Sequence, residues 1–182
     1  MSTAEQIRSE TMAPPPEPAH RFSIRRDLRP GDLGRIVAMH GRIYLPGYGL
    51  NAEFEGHVAR AVANAAIAGF PRERDTLRLV DGPGGELLGS TALTDEGGGL
   101  AYLRWVLLDP SLRGLGLGRR LIADTVRDAR ELGFDRIGLE TFSDLTAAAA
   151  IYRSLGFRVI AEDRTPRFGR AEFNYQSYEL EL

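Results

Sequence analysis

The stretch LRWVLLDPSLRGLGLGRR, Leu103 to Arg120, decides how the rest of the chain is read. It opens on an apolar run with the look of a buried strand, Leu103 to Leu108, which Asp109-Pro110 interrupts. A short loop follows with Arg113 and three glycines at spacing two, Gly114, Gly116 and Gly118, and an amphipathic helix starts there. That order builds a cradle for an anion. The first N–H groups of a helix lack intrahelical partners and lie at the positive end of its dipole, and glycines let a phosphate oxygen come close to them.

Three phosphate-binding designs use such a loop, and side chains separate them. A P-loop requires GxxxxGK followed by Ser or Thr, so that the lysine reaches a terminal phosphate and the hydroxyl holds magnesium; no Lys follows these glycines. A dinucleotide-binding fingerprint requires GxGxxG, and reading on from Gly116 and Gly118 its last position holds Leu121. Glu140 stands at about the right distance for a ribose-binding acid, so this alternative is weakened and stays open.

The third design matches position by position. Arg113-x-x-Gly116-x-Gly118, after a strand ending in Asp-Pro, resembles the pyrophosphate-binding motif of the GNAT N-acetyltransferase superfamily, whose members use acetyl-CoA. A second signature of that family, a Tyr followed by Leu-Gly-Phe, is matched by Tyr152-Arg153-Ser154-Leu155-Gly156-Phe157. The resemblance implies a GNAT-like α/β fold: a mixed, mostly antiparallel sheet flanked by helices, with one splayed parallel strand pair. More locally, YLPGYGL (Tyr44 to Leu50) and the ending FGRAEFNYQSYELEL resemble the acetyltransferase domain fused behind MarR-type winged-helix regulators. No winged-helix domain precedes it here, so the expectation is a free-standing transferase, with 1–20 a Pro-rich leader and 21–182 the acetyltransferase domain.

Composition bounds the alternatives. The 182 residues, 43% hydrophobic and 26% charged, suit one soluble globular domain with a real core. The chain has no cysteine, which excludes disulfides, thiolate metal sites and a cysteine nucleophile and fits a cytoplasmic setting. Its three histidines, His20, His40 and His57, are scattered, so no metal is expected. A net charge of −2 without a basic block argues against nucleic acid as a partner, and no run is long enough for a membrane span. The leader, with Ala13-Pro14-Pro15-Pro16-Glu17-Pro18, lacks the basic start and apolar core of a signal peptide.

Along the chain, Arg21 to Arg26 alternates as a first strand, and a helix begins at Pro30-Gly31-Asp32 with Leu33, Ile36, Val37, His40 and Tyr44 on its apolar stripe. It is expected to end before Pro46-Gly47, leaving YLPGYGL as a loop, and His40 on that stripe reads as a packed, hydrogen-bonded core histidine. Asn51 caps a second helix whose stripe is Phe54, Val58, Ala61, Val62 and Ala65, stopped by Gly69-Phe70-Pro71. Thr76 to Val80 and Glu86 to Leu93 form a hairpin, and Asp95 to Gly99 turns into the strand at Leu103, where Trp105 is a core residue. After the glycine-loop helix, closed by Gly133, come a strand at Asp135 to Thr141, a helix at Thr146 to Leu155, a strand at Phe157 to Glu162 and a last strand near Phe173 to Leu182. The order strand, helix, strand around the glycine loop makes the one parallel pair.

The resemblance also distributes roles. Pantetheine is expected against Val106, Leu107 and Leu108, and pyrophosphate on the backbone of Arg113, Gly114, Leu115, Gly116, Leu117, Gly118 and Arg119. Tyr152 is the expected acid for the leaving thiolate. Phe142 stands where many relatives carry an Asn, so Ser143 or Thr146 inherits whatever cofactor contact that Asn makes. Tyr44, Tyr48 and Glu55 are acceptor-pocket candidates. Acetyl transfer to an amine requires a neutral nucleophile, and a lysine-like amine is neutral at pH 7 only at a cost of about 4.6 kcal/mol, so a base helps. Glu140, at the end of the parallel strand, is the first candidate and Glu55 the second. The acceptor is a small-molecule or peptide amine, and relatives that dimerise make a homodimer compatible. The competing class, a non-catalytic acyl-CoA sensor, would keep the glycines but need no Tyr152.

Overall fold

The computed structural model of the protein describes residues 22–182; the reading of Met1 to His20 as a leader lies outside the described residues. Seven strands form one sheet in the order β1-β2-β3-β4-β5-β7-β6, with every neighbouring pair antiparallel except β4 and β5. They are β1 (Ser23–Arg25), β2 (Thr76–Asp81), β3 (Leu87–Gly97), β4 (Leu100–Leu108), β5 (Arg136–Phe142), β6 (Arg158–Asp163) and β7 (Tyr175–Glu181). The helices are α1 (Asp32–Tyr48), α2 (Ala52–Ile67), α3 (Leu117–Glu131) and α4 (Thr146–Ser154). No helix among the described residues is long and apolar enough to cross a membrane.

Two large apolar clusters lie on the two faces of the sheet. One packs α1 and α2 through Ile36, Met39, Phe54 and Val62 onto Leu77, Leu79 and Phe142. The other packs α3 and α4 through Ile122, Val126, Ala149 and Tyr152 onto Leu93, Ile137, Leu139 and Tyr178. A buried ion pair ties α3 to β2: Asp128 lies 2.6 Å from Arg78, whose guanidinium also donates to Thr125 Oγ1. At its start α1 is tied down by Asp32, which takes a forked bond from Arg25 at 2.7 and 2.8 Å and the Arg29 amide.

The first helix corrects the sequence reading. It does not stop before Pro46-Gly47 but runs through Pro46 to Tyr48, so most of YLPGYGL is helical. A proline removes one intrahelical bond, yet here it falls in the last turn, which closes on Leu45 O through the amides of Gly49 and Leu50. Packing supplies the rest, because Tyr44 and Tyr48 both meet the Phe142 ring edge-on at 5.7 and 5.4 Å. Asn51 caps α2 by accepting the Glu53 amide at 3.1 Å, as its position implies.

Candidate active site

β4 is the element that opens the site. It pairs with β5 only from Leu100 to Tyr102, against Arg136 to Gly138, and the rest of the two strands diverge. The cause is a bulge. Against β3, Ala92 faces Arg104 and Ser90 faces Leu107, so β4 carries one extra residue between them. Trp105 sits there at φ 51°, a left-handed conformation for a bulky residue, and its carbonyl accepts the Ser90 hydroxyl at 2.5 Å. The bulge also exchanges faces. Ala101 and Leu103 belong to the cluster under α3 and α4, whereas Trp105 and Leu107 belong to the cluster under α1 and α2, although all four are buried in strict alternation.

The divergence leaves a cleft enclosing about 420 Å³, with Val106, Leu107 and Leu108 on one wall and Thr146, Ala148 and Ile151 of α4 on the other. Its floor is the glycine loop. Asp109 caps the 3-10 turn Pro110–Leu112 by accepting the Ser111 amide at 3.0 Å, and this turn aims the chain into the loop. Gly114 and Gly116 have φ of 77° and 69°, and no atom lies within 4 Å of where a Cβ would stand on either. Gly116 is the N-cap of α3, with no side chain bonded there, and the first helical bond runs from the Arg120 amide to Gly116 O. The amides of Leu117, Gly118 and Arg119 therefore have no α-helical acceptor. This open, positively polarised end, with Arg113 at the rim of the cleft, fits a pyrophosphate.

A second, narrower cavity of about 140 Å³ continues from the first, and Tyr44, Val106, Leu145 and Ala148 line both. Three aromatic groups turn polar atoms into it. Tyr152 is 4% exposed, its ring meeting Phe157 and Tyr178 at 5.8 Å. Its hydroxyl makes no hydrogen bond among the described residues, yet is not sealed off, so it opens into the cavity. The same holds for the Tyr44 hydroxyl, and burial pushes both phenols well above their ordinary range. His40 is fixed through Nδ1 to the Ile36 carbonyl at 2.8 Å. Nδ1 therefore carries the proton, and Nε2 is an acceptor with no partner among the described residues. Burial pushes this imidazole down to about 4.

Glu140 occupies the outer end. Its carboxylate accepts the Tyr175 hydroxyl at 3.1 Å, and Tyr102 stands beside it, its phenol pushed up to about 12 by burial and by Glu140. Tyr102 reaches this place because its strand partner Gly138 has no side chain; a Cβ there would lie 2.6 Å from the ring. His57 of α2 lines the same end and is pushed down, first by burial and then by Arg60. Behind Phe54 packs the segment before β7. Phe168, at φ 56°, packs edge-on against Phe54 at 5.3 Å while its carbonyl accepts the Asn51 amide.

The candidates from the sequence thus divide. Val106, Leu107, Leu108, Arg113, Gly114, Gly116, Leu117, Gly118, Arg119 and Thr146 line the large cleft, with Tyr44 and Tyr48 at its edge; Tyr44, Tyr152 and Glu140 line the narrow one. Leu115 points outward, 52% exposed, and Arg119 donates to Ser154 of α4. Ser143 lines neither cavity; its amide bonds Asn174 O and its hydroxyl faces Asp144. Glu55 lies over Gly41 of α1, away from both cavities. Phe142 is in the aromatic cluster with Tyr44, Tyr48 and Phe54. His57, Tyr102 and Tyr175 were not singled out from sequence. The pairing of Tyr102 with Gly138, two residues before Glu140, is the signal that strand register would have revealed. Among the described residues no cluster of three or more His, Asp or Glu is placed to hold a metal ion.

Comparison with known proteins agrees with this geometry. Residues 40–157 match the family model described as the acetyltransferase (GNAT) family. The uncharacterized N-acetyltransferase YjgM of Escherichia coli is 37% identical over 79 residues, 42% of this chain and 47% of that protein. Glucosamine 6-phosphate N-acetyltransferase of Trypanosoma brucei is 33% identical over 119 residues, 58% of this chain and 79% of the relative. The chain thus spans about half the length of YjgM but most of the trypanosome enzyme. The Salmonella typhimurium protein yncA, solved with its cofactor acetyl-CoA, has the same fold at TM-score 0.65 and 18% identity, over 88% of this chain and 94% of its own. With a family model matched from His40 to Phe157 over the splayed strands and the glycine loop, the chain belongs to the acetyltransferase (GNAT) family.

Proposed function

We propose that this protein is an N-acetyltransferase that moves an acetyl group from acetyl-CoA to a primary amine by direct attack within a ternary complex. The observation that carries this reading is the junction of two cavities. A cleft floored by free helix amides and glycines opens into an aromatic slot with a tyrosine hydroxyl, a neutral imidazole and a carboxylate. When bound, acetyl-CoA supplies the thioester carbonyl that the amine attacks.

The residues would divide the work as follows. Amides of Leu117 to Arg119, with Arg113, hold the pyrophosphate, and Val106 to Leu108 present strand edge to the pantetheine arm. Glu140 takes a proton from the incoming ammonium, directly or through water. The C–N bond forms as the C–S bond breaks, and the Tyr152 hydroxyl donates toward the departing sulfur, recovering a proton from the amide nitrogen through solvent. The sum is ammonium plus thioester to amide, thiol and one released proton. The raised Tyr152 keeps its proton throughout neutral pH, so the donor is in its working form.

The test is CoA release from acetyl-CoA across a panel of primary amines. Thiol release with at least one amine supports transfer. Tight binding of acetyl-CoA with no release to any amine would favour the acyl-CoA sensor instead.

A further inference from the structure

The chemistry of the narrow slot restricts the amine that can enter it. At about 140 Å³ the slot is close to the roughly 150 Å³ apolar cavity that suffices for benzene. Its walls are the faces and edges of Tyr44, Phe54, Tyr102, Trp105, Phe142 and Tyr175. Aromatic faces attract ammonium groups, and the carboxylate of Glu140, exposed at the outer end of the slot, stands beside them to complete a cation site.

The charges around it have one sign left over. Glu140 makes no ion pair among the described residues and accepts a hydrogen bond from the Tyr175 phenol. Arg104, the one cationic side chain lining the slot among the described residues, is already committed. It donates to Thr94 Oγ1 at 2.9 Å and to Glu96 at 3.0 Å, and lies over the Tyr102 ring. Arg60 lines the adjoining cavity and not the slot, and its guanidinium donates to His57 Nδ1 at 3.4 Å. Both imidazoles are pushed below their ordinary value by burial and are uncharged at neutral pH. At the inner end the bare Nε2 of His40 accepts hydrogen bonds and gives none to an anion. Inside the slot a carboxylate or phosphate on the acceptor would lose its water without finding an unpaired cation among the described lining residues.

Building on the acetyl-transfer reading, we propose that the acceptor is a primary amine on an apolar body no wider than a phenyl ring and free of carboxylate or phosphate. Glu140 and the surrounding ring faces hold its ammonium. This separates the chain from its trypanosome relative, whose named acceptor carries a phosphate.

The experiment measures CoA release at saturating acetyl-CoA with two pairs of probes: phenethylamine against phenylalanine, and n-butylamine against 4-aminobutyrate, with glucosamine 6-phosphate alongside. The expected kcat/KM favours the amine free of an anion by at least about tenfold in each pair. Glu140→Gln should shrink that ratio to within a few-fold, whatever it does to the absolute rate. Equal or better turnover of the anionic partners, or no turnover of phenethylamine and n-butylamine, overturns the acceptor class. Calorimetry with acetyl-CoA separates the two levels: binding with anionic acceptors turned over overturns the acceptor class alone, and absence of binding overturns the parent reading as well.

Discussion

Removing one oxygen at Tyr152 separates acid catalysis from packing. Tyr152→Phe keeps the ring between Phe157 and Tyr178, and the lost hydroxyl has no protein partner among the described residues. Folding therefore loses no internal hydrogen bond, and stability should change by less than about 0.5 kcal/mol. Acetyl-CoA affinity should hold too, because the glycine loop is on another element. If the phenol donates a proton as the C–S bond breaks, the usual hundredfold or more corresponds to at least about 2.7 kcal/mol of lost transition-state stabilisation. An ordinary neutral hydrogen bond contributes only about 1 kcal/mol. The assay is single-turnover acetyl transfer, which excludes slow product release from the rate. The raised phenol adds a second expectation: the rate should show no falling limb below about pH 10, since the acid stays protonated. A Phe variant within a few-fold of wild type would remove Tyr152 from the chemistry.

Two further predictions rest on other elements. Ser90→Ala deletes the hydroxyl that grips the Trp105 carbonyl, which should cost about 1 kcal/mol in chemical denaturation. Because that bulge turns β4 away from β5, kcat/KM should fall more than the stability loss alone explains, and an unchanged kcat/KM would show that the bulge holds itself. His40 sets a pH dependence of stability. Burial holds it neutral down to about pH 4, while in the unfolded chain it takes a proton below about 6.5. Its contribution is therefore complete above about pH 6.5 and declines as pH falls toward 4, by up to ~3 kcal/mol. His57 is also pushed down and acts with the same sign below about pH 6.5, so His40→Gln should make denaturation midpoints between pH 4 and 6.5 less steep in pH without abolishing the slope.

The glycine loop and the Tyr-x-x-Leu-Gly-Phe signature were readable in the chain because both rest on local backbone: glycine φ values, a helix start and a helix end. The parallel pair followed from the same order of elements. What stayed hidden depends on register. Nothing in the alternation of Ala101, Leu103, Trp105 and Leu107 reveals that the strand changes faces midway, because a bulge preserves the period while turning it over. The surroundings of Glu140 were illegible for a similar reason: Tyr102, Tyr175 and His57 come from three elements far apart in the chain. Pro46 misled in the other direction. Its local cost was visible, but the packing of Tyr44 and Tyr48 on Phe142, nearly a hundred residues on, was not.

At the start of α3, Gly116 at φ 69° faces open space. Asn and Asp both tolerate that conformation and have the same shape, so Gly116→Asn and Gly116→Asp differ in one negative charge. A unit charge about 4 Å from another is worth roughly 4 kcal/mol at the dielectric of a protein surface. Calorimetry with acetyl-CoA should therefore show binding by wild type, weaker binding by the Asn variant, and at least a hundredfold further loss in the Asp variant. Equal affinity in the Asn and Asp proteins would contradict the assignment of the pyrophosphate to this helix end, and with it the acetyl-CoA site described above.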